Sequence, residues 1–243
     1  MLELFLDPAA WASLATLTLL EIVLGIDNIV FISVLVSRLP PDVAKQARQI
    51  GLALALVFRI ILLLLISWII GLTAPIAELF GHAVSWRDLI LIAGGAFLIY
   101  KATAEIHHAI EEPHEQELAR NAPKAFSSVI VQVVLLDMVF SIDSIITAVG
   151  MAQHLEIMIT AVVIAMALMY FASASIAGFI GRHPTTKMLA LAFLLLIGVT
   201  LVADGLGVHV PKGYIYSAMA FAVLVEAFNI FAQSKRKQKR EQA

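Results

Sequence analysis

The chain contains no cysteine, which excludes disulfides, thiolate redox chemistry and cysteine metal sites. Any metal it binds must be held by oxygen, imidazole or thioether groups, a set that favours hard or borderline cations over soft ones. Charge is scarce too: only 14% of residues are Asp, Glu, Lys or Arg, where soluble domains carry about a quarter. No basic residue precedes the first apolar block, although Glu3 and Asp7 do. A secretory signal peptide starts positive, so this block is expected to remain as a helix.

What is abundant is apolar and arranged in long blocks. Of the 243 residues 61% are hydrophobic, and several runs exceed the roughly 20 residues needed to cross a bilayer. Seven spans are expected, over Trp11–Val36, Arg48–Leu72, Arg87–His108, Ala125–Gly150, Leu155–Gly181, Lys187–Ala203 and Gly213–Gln233. They should be helices, because a helix satisfies its own backbone hydrogen bonds in lipid. Basic residues concentrate on one side: Arg38, Lys45 and Arg48, then Lys101, Arg120 and Lys124, then Arg182 and Lys187, and five in the tail after Gln233. The other side holds Arg87 and Lys212. The positive-inside rule then puts the N-terminus outside and the C-terminus in the cytoplasm. The basic tail reads as a topology anchor in contact with the lipid bilayer, and no nucleic-acid partner is expected.

Two segments share a pattern. EIVLGIDN, from Glu21 to Asn28, aligns without gaps on DMVFSIDS, from Asp137 to Ser144, at an offset of 116 residues. Glu21 matches Asp137, Asp27 matches Asp143 and Asn28 matches Ser144. Each motif lies in the first helix of a three-helix group, and an odd number of spans per group inverts the second group. The expected fold is therefore an all-α membrane protein with seven transmembrane helices: two inverted three-helix repeats plus a C-terminal helix. Inverted repeats of this kind place a transporter's binding site at their interface near the midplane. The expected organisation is a first repeat over 1–110, an acidic and His-containing cytoplasmic linker over 111–124, a second repeat over 125–205, a Gly/Pro loop with the seventh helix over 206–233, and a basic tail over 234–243.

Four carboxylates inside spans would cost about 10–14 kcal/mol on insertion scales, so Glu21, Asp27, Asp137 and Asp143 should face inward and find partners, protons or ions. Six residues along an ideal helix rise about 9 Å and turn by a net of about 120°. A local break at Gly25 would let Glu21 and Asp27 converge. The site expected on this basis has Asp27, Asn28, Asp143 and Ser144 as oxygen ligands near the repeat axis, with Glu21 and Asp137 as further ligands or proton acceptors. Arg59 and Lys101 are the intramembrane cations available to pair with carboxylates, too few to neutralise all four. An all-oxygen set suits Mg²⁺, Ca²⁺ or Mn²⁺ without choosing among them. Secondary candidates are Glu226 and Asn229, three apart on one face of the last span, and Asp204 with His209 at an external loop. Ala174 with Gly178 and Ala177 with Gly181 suggest close helix packing. The stretch from His107 through Glu117 reads as a solvated loop.

The paired motifs, the helix-3 stretch GGAFLIYKATAEIH and the ending ADGLGVHVPKGYIY–VEAFN resemble the TerC family of integral membrane proteins, from Leu20 to Asn229. The resemblance implies Mn²⁺ efflux across the bacterial inner membrane, and it carries to Glu21, Asp27, Asn28, Asp137, Asp143 and Ser144. It also implies a second possibility, a non-transporting partner that supports metalation or secretion of exported proteins. No enzymatic activity is expected. An intramembrane aspartyl protease would carry GxGD, whereas the sequence here is Gly25-Ile26-Asp27.

Overall fold

The computed structural model describes residues 7–37, 39–79, 82–111, 122–149 and 154–241. In chain order they form helices α1 (Pro8–Val36), α2 (Pro41–Leu64) and α3 (Ile66–Gly71), strands β1 (Pro75–Leu79) and β2 (His82–Ser85), then helices α4 (Trp86–Glu111), α5 (Ala122–Val149), α6 (Leu155–Arg182), α7 (Pro184–Gly205) and α8 (Lys212–Glu241). Among the described residues seven helices are long and apolar enough to cross a membrane: α1, α2 and α4 to α8. This is the all-α, seven-span membrane fold expected from the blocks.

Local chemistry sets the helix ends. Asp7 caps α1 by accepting from the Ala9 amide at 2.9 Å, and Pro8, Pro41 and Pro184 occupy first-turn positions where a missing N–H costs nothing. Ser85 and Asp88 make a capping box at the start of α4: the Ser85 amide donates to Asp88 Oδ2 at 2.8 Å and the Asp88 amide to Ser85 Oγ at 3.3 Å. At the end of α7, Gly207 adopts φ +82°. It allows the Val208 amide to reach back to the Ala203 carbonyl at 2.9 Å, a Schellman closure that stops the helix. The sixth span, expected to be short, gains residues at both ends through these signals and runs Pro184–Gly205.

Two expectations about packing are corrected. The second span is interrupted at Leu65, where α2 gives way to α3, and the connection that follows folds into an antiparallel hairpin pairing Pro75 with Ser85 and Glu78 with Ala83. The close helix crossing is also not where the small residues of α6 suggested. Added side chains at Gly178 and Gly181 would meet nothing within 4 Å. The tight crossing lies between α4 and α7, where a Cβ on Gly95 would be 2.6 Å from the Gly198 carbonyl oxygen and one on Gly198 would be 2.9 Å from that of Gly95. Small residues at a crossing let backbones touch, and here they do so on the inward faces.

The main helix pairs are α4 with α7, α1 with α6, and α2 with α5; α1 also meets α5 and α7, α2 meets α6, and α4 meets α5. The buried core runs along these contacts and includes Leu17, Ile32, Leu63, Leu98, Leu136 and Leu194. Helix α8 lies at the edge against α7, with Phe221, Phe228 and Phe231 exposed, as suits a lipid-facing span.

Candidate functional site

Three helices bring polar groups together near the middle of the bundle. Arg59 on α2 is 1% exposed, and Glu21 on α1 and Asp137 on α5 are 4% exposed each. The guanidinium donates to Glu21 Oε2 from one terminal nitrogen and to Asp137 Oδ1 at 3.3 Å from the other. Its Nε donates to Ser141 Oγ at 3.0 Å, and Ser141 Oγ donates to Asp137 Oδ2 at 3.3 Å. Asn28 Nδ2 completes the set by donating to Asp137 Oδ1 at 3.0 Å. Positions 21 and 28 of α1, and positions 137 and 141 of α5, are each spaced by whole turns, so both helices present their polar pair on one face. One guanidinium thus serves two carboxylates, a trio whose formal charge is −1 when all three groups are ionised.

A second cluster lies about 9 Å further along α5, six residues on. Asp143 is 6% exposed and accepts from Arg87 at 2.6 Å and from the Lys212 ammonium. Arg87 also lies 3.6 Å from Asp88, whose place in the capping box fixes the start of α4. The cluster therefore ties the first residues of α4 and α8 to α5. Asp143, Lys212, Asp204 and Thr200 border a cavity of about 60 Å³ at this end of the bundle. On the other side of the Arg59 network, Asn28, Asp137, Met166 and Met169 border a smaller cavity of about 10 Å³.

These placements revise the expected site in several respects. Glu21 and Asp137, one matched pair, meet on Arg59. Asn28 binds Asp137, and Asp143 is held by Arg87 and Lys212. The break expected at Gly25 is absent: α1 runs unbroken through it. Asp27 lies in α1, but its side chain falls outside the described residues. Gly25 serves packing instead, since a Cβ there would stand 2.1 Å from Met169 Sδ. Ser144 is buried, and its hydroxyl donates to the Ser141 carbonyl at 3.2 Å. Two further cations, Arg87 and Lys212, placed by the sequence on the less basic side of the membrane, reach into the bundle and hold Asp143. Lys101 is half-buried on α4 and takes no part in either cluster.

Among the secondary candidates, Asp204 receives His209 Nδ1 at 2.8 Å, a contact that the Schellman turn sets up. Glu226 accepts from Thr185 and, at 3.2 Å, from Thr186, joining α8 to the start of α7; Asn229 is exposed. Residues 112–121, including Glu112, His114, Glu115 and Glu117, lie outside the described residues. Among the described residues no group of three His, Asp or Glu side chains is arranged to hold a metal ion.

A bundle of seven apolar helices with buried, partly neutralised carboxylates defines a polytopic membrane protein with an intramembrane polar centre. The profile of the integral membrane protein TerC family matches residues 6–241, and the chain belongs to that family. It is 52% identical over 230 residues to a UPF0053 protein of Haemophilus influenzae, covering 95% of this chain and 97% of that one. It is also 52% identical over 229 residues to the UPF0053 inner membrane protein YgdQ of Escherichia coli K12, covering 94% and 96%. The inner membrane protein YoaE of the same strain is 49% identical over 232 residues, 96% of this chain but 45% of that longer protein. No solved structure matches.

Proposed function

We propose that this protein is a divalent-cation transporter of the bacterial inner membrane, exporting Mn²⁺ in preference to Mg²⁺ or Ca²⁺, and that Glu21 and Asp137 form the centre of its cation seat. The observation that carries this reading is the enclosed charge. Two carboxylates from matched positions meet on one guanidinium deep in an apolar bundle, and the residual negative charge is costly unless a proton or cation joins it. Arg59 sits on the seat's oxygens as a tethered cation. An arriving ion competes for the same oxygens, with Asn28 and Ser141 supplying further polar atoms around Asp137.

The helix pairings support two inverted repeats. Exchanging α1, α2 and α4 with α5, α6 and α7 turns the α1–α6 pair into α5–α2 and the α1–α7 pair into α5–α4, and it leaves α4–α7, α1–α5 and α2–α6 in place; all of these pairs occur, while the lesser α1–α2 and α6–α7 pairs lack counterparts of comparable extent. Such symmetry is the basis of alternating access about a fixed midplane site. The cavities on either side of the Arg59 network suit a path closed at its centre, with the Asp143–Arg87–Lys212 cluster as the outer closure. The inner-membrane assignment follows the name of the YgdQ relative, and the N-outside, C-inside orientation follows the basic residues.

Cells lacking the protein should accumulate manganese. The wild-type gene should restore the normal content, and Asp137→Asn, present in the membrane at the same level, should not. Equal manganese in all three strains contradicts the reading. The native chain has no cysteine, so a single cysteine at Ala243 should react with a membrane-impermeant reagent only after the inner face is opened. Labelling from the outside reverses the assigned orientation.

A further inference from the structure

Met169 belongs to α6 and is 2% exposed. Its sulfur touches α1 at Gly25, where a Cβ would lie 2.1 Å from Sδ and 2.7 Å from Cε. On an ideal helix, positions 18, 21, 25 and 28 fall within one arc of about 80°. The thioether therefore rests on the same face of α1 as Glu21 and Asn28, at a level between them. Met169 also joins Asn28 and Asp137 in bordering the cavity of about 10 Å³, room for roughly one water-sized body. On that face of α1, the buried Oγ1 of Thr18 has no hydrogen-bond partner among the described residues.

A methionine is most often a core filler, and its flexible chain fits irregular gaps well. Filling alone does not call for a sulfur pressed against a glycine between Glu21 and Asn28 on the polar face of α1, beside a cavity that Asp137 also borders. Oxygen ligands by themselves suit Mg²⁺, Ca²⁺ and Mn²⁺ alike. A thioether is a soft ligand: it adds most affinity for the later first-row ions such as Zn²⁺, less for Mn²⁺, and least for the alkaline earths.

We propose that the Met169 thioether is the specificity-determining ligand of the Glu21–Asp137 seat, making it prefer first-row transition cations over Ca²⁺ and Mg²⁺. The proposal rests on the reading of that cluster as the cation seat. Gly25 is the residue that lets the sulfur reach it.

The test uses the full-length protein in sealed vesicles, with Mn²⁺ or Zn²⁺ as the transported ion and Ca²⁺ or Mg²⁺ as competitor. Met169→Leu keeps the volume and removes the sulfur. Met169→Gln keeps the unbranched shape and substitutes a hard oxygen. Wild-type Mn²⁺ uptake should persist in excess Ca²⁺. In both variants the ratios of Zn²⁺ and of Mn²⁺ to Ca²⁺ transport should fall severalfold, the Zn²⁺ ratio more steeply, with Met169→Gln gaining Ca²⁺ uptake. An unchanged ratio, or an equal loss for every ion, makes Met169 a packing residue and overturns the proposal while leaving the transport reading intact. Absence of metal uptake by the wild type overturns both.

Discussion

Arg59 carries the largest electrostatic responsibility of any single residue here. It is buried, and it bridges two carboxylates that would otherwise face each other in an apolar interior. Arg59→Gln removes the only cation of that cluster among the described residues, so the variant should lose about 3–5 kcal/mol of stability, the usual cost of breaking a buried pair. Thermal unfolding in detergent measures this. Because the lost charge is one a metal can replace, added Mn²⁺ should raise the melting temperature of Arg59→Gln more than that of the wild type. Equal effects of Mn²⁺ on the two proteins contradict the role of Arg59 as a tethered cation. At this scale the sequence was informative about which carboxylates are buried: Glu21, Asp137 and Asp143 all are. It was silent on who holds them. The partners Arg87 and Lys212 sit at helix starts 56 and 69 residues from Asp143, and only the tertiary fold brings them there.

At the level of elements, two glycine positions with opposite surroundings make contrasting predictions. Gly198 faces the Gly95 carbonyl across the α4–α7 crossing, and a Cβ there would also lie 2.9 Å from Ile99 Cγ1. Gly198→Val must push the two backbones apart, so it should cost at least about 1–3 kcal/mol and sharply lower the yield of folded protein. Gly178 on α6 meets nothing within 4 Å, and Gly178→Ala should be neutral or more stable by up to about 1 kcal/mol. Melting temperatures of the two variants measure both. Span number, order and approximate limits were legible, because each span is a long apolar block bounded by Pro, Gly or charge. The β1–β2 hairpin was not. Its nine residues alternate too weakly to stand out beside helices of 20 residues or more, and a lone two-stranded ribbon draws its stability from the elements it joins. The continuity of α1 through Gly25 was hidden for a related reason: a glycine in a helix can mark either a break or a close contact, and only the position of Met169 decides between them.

Across the whole molecule, exchanging the first three spans with the next three finds counterparts for the α1–α6 and α1–α7 pairs but none of comparable extent for α1–α2 and α6–α7, and α8 stays outside that relation. The aligned motifs carry the expectation of two inverted repeats through their equal spacing. What they could not convey is that the two polar clusters are unlike. Arg59 comes from α2 alone, and the second cluster is built from α4, α5 and α8. Under the proposed orientation the Asp143 cluster is a latch at the outer end. Arg87→Gln combined with Lys212→Gln should then loosen it, and a single cysteine at Thr200, beside the cavity that the cluster borders, should label several-fold faster from the outside than in the wild-type background. Unchanged labelling contradicts the assignment of Asp143 as the outer closure.

If Glu21 and Asp137 seat a transported divalent cation, sealed vesicles holding only the purified protein should take up Mn²⁺ saturably, and vesicles with Asp137→Asn at equal incorporation should take up no more than empty ones. Equal flux through both proteins, or none through either, rules that seat out.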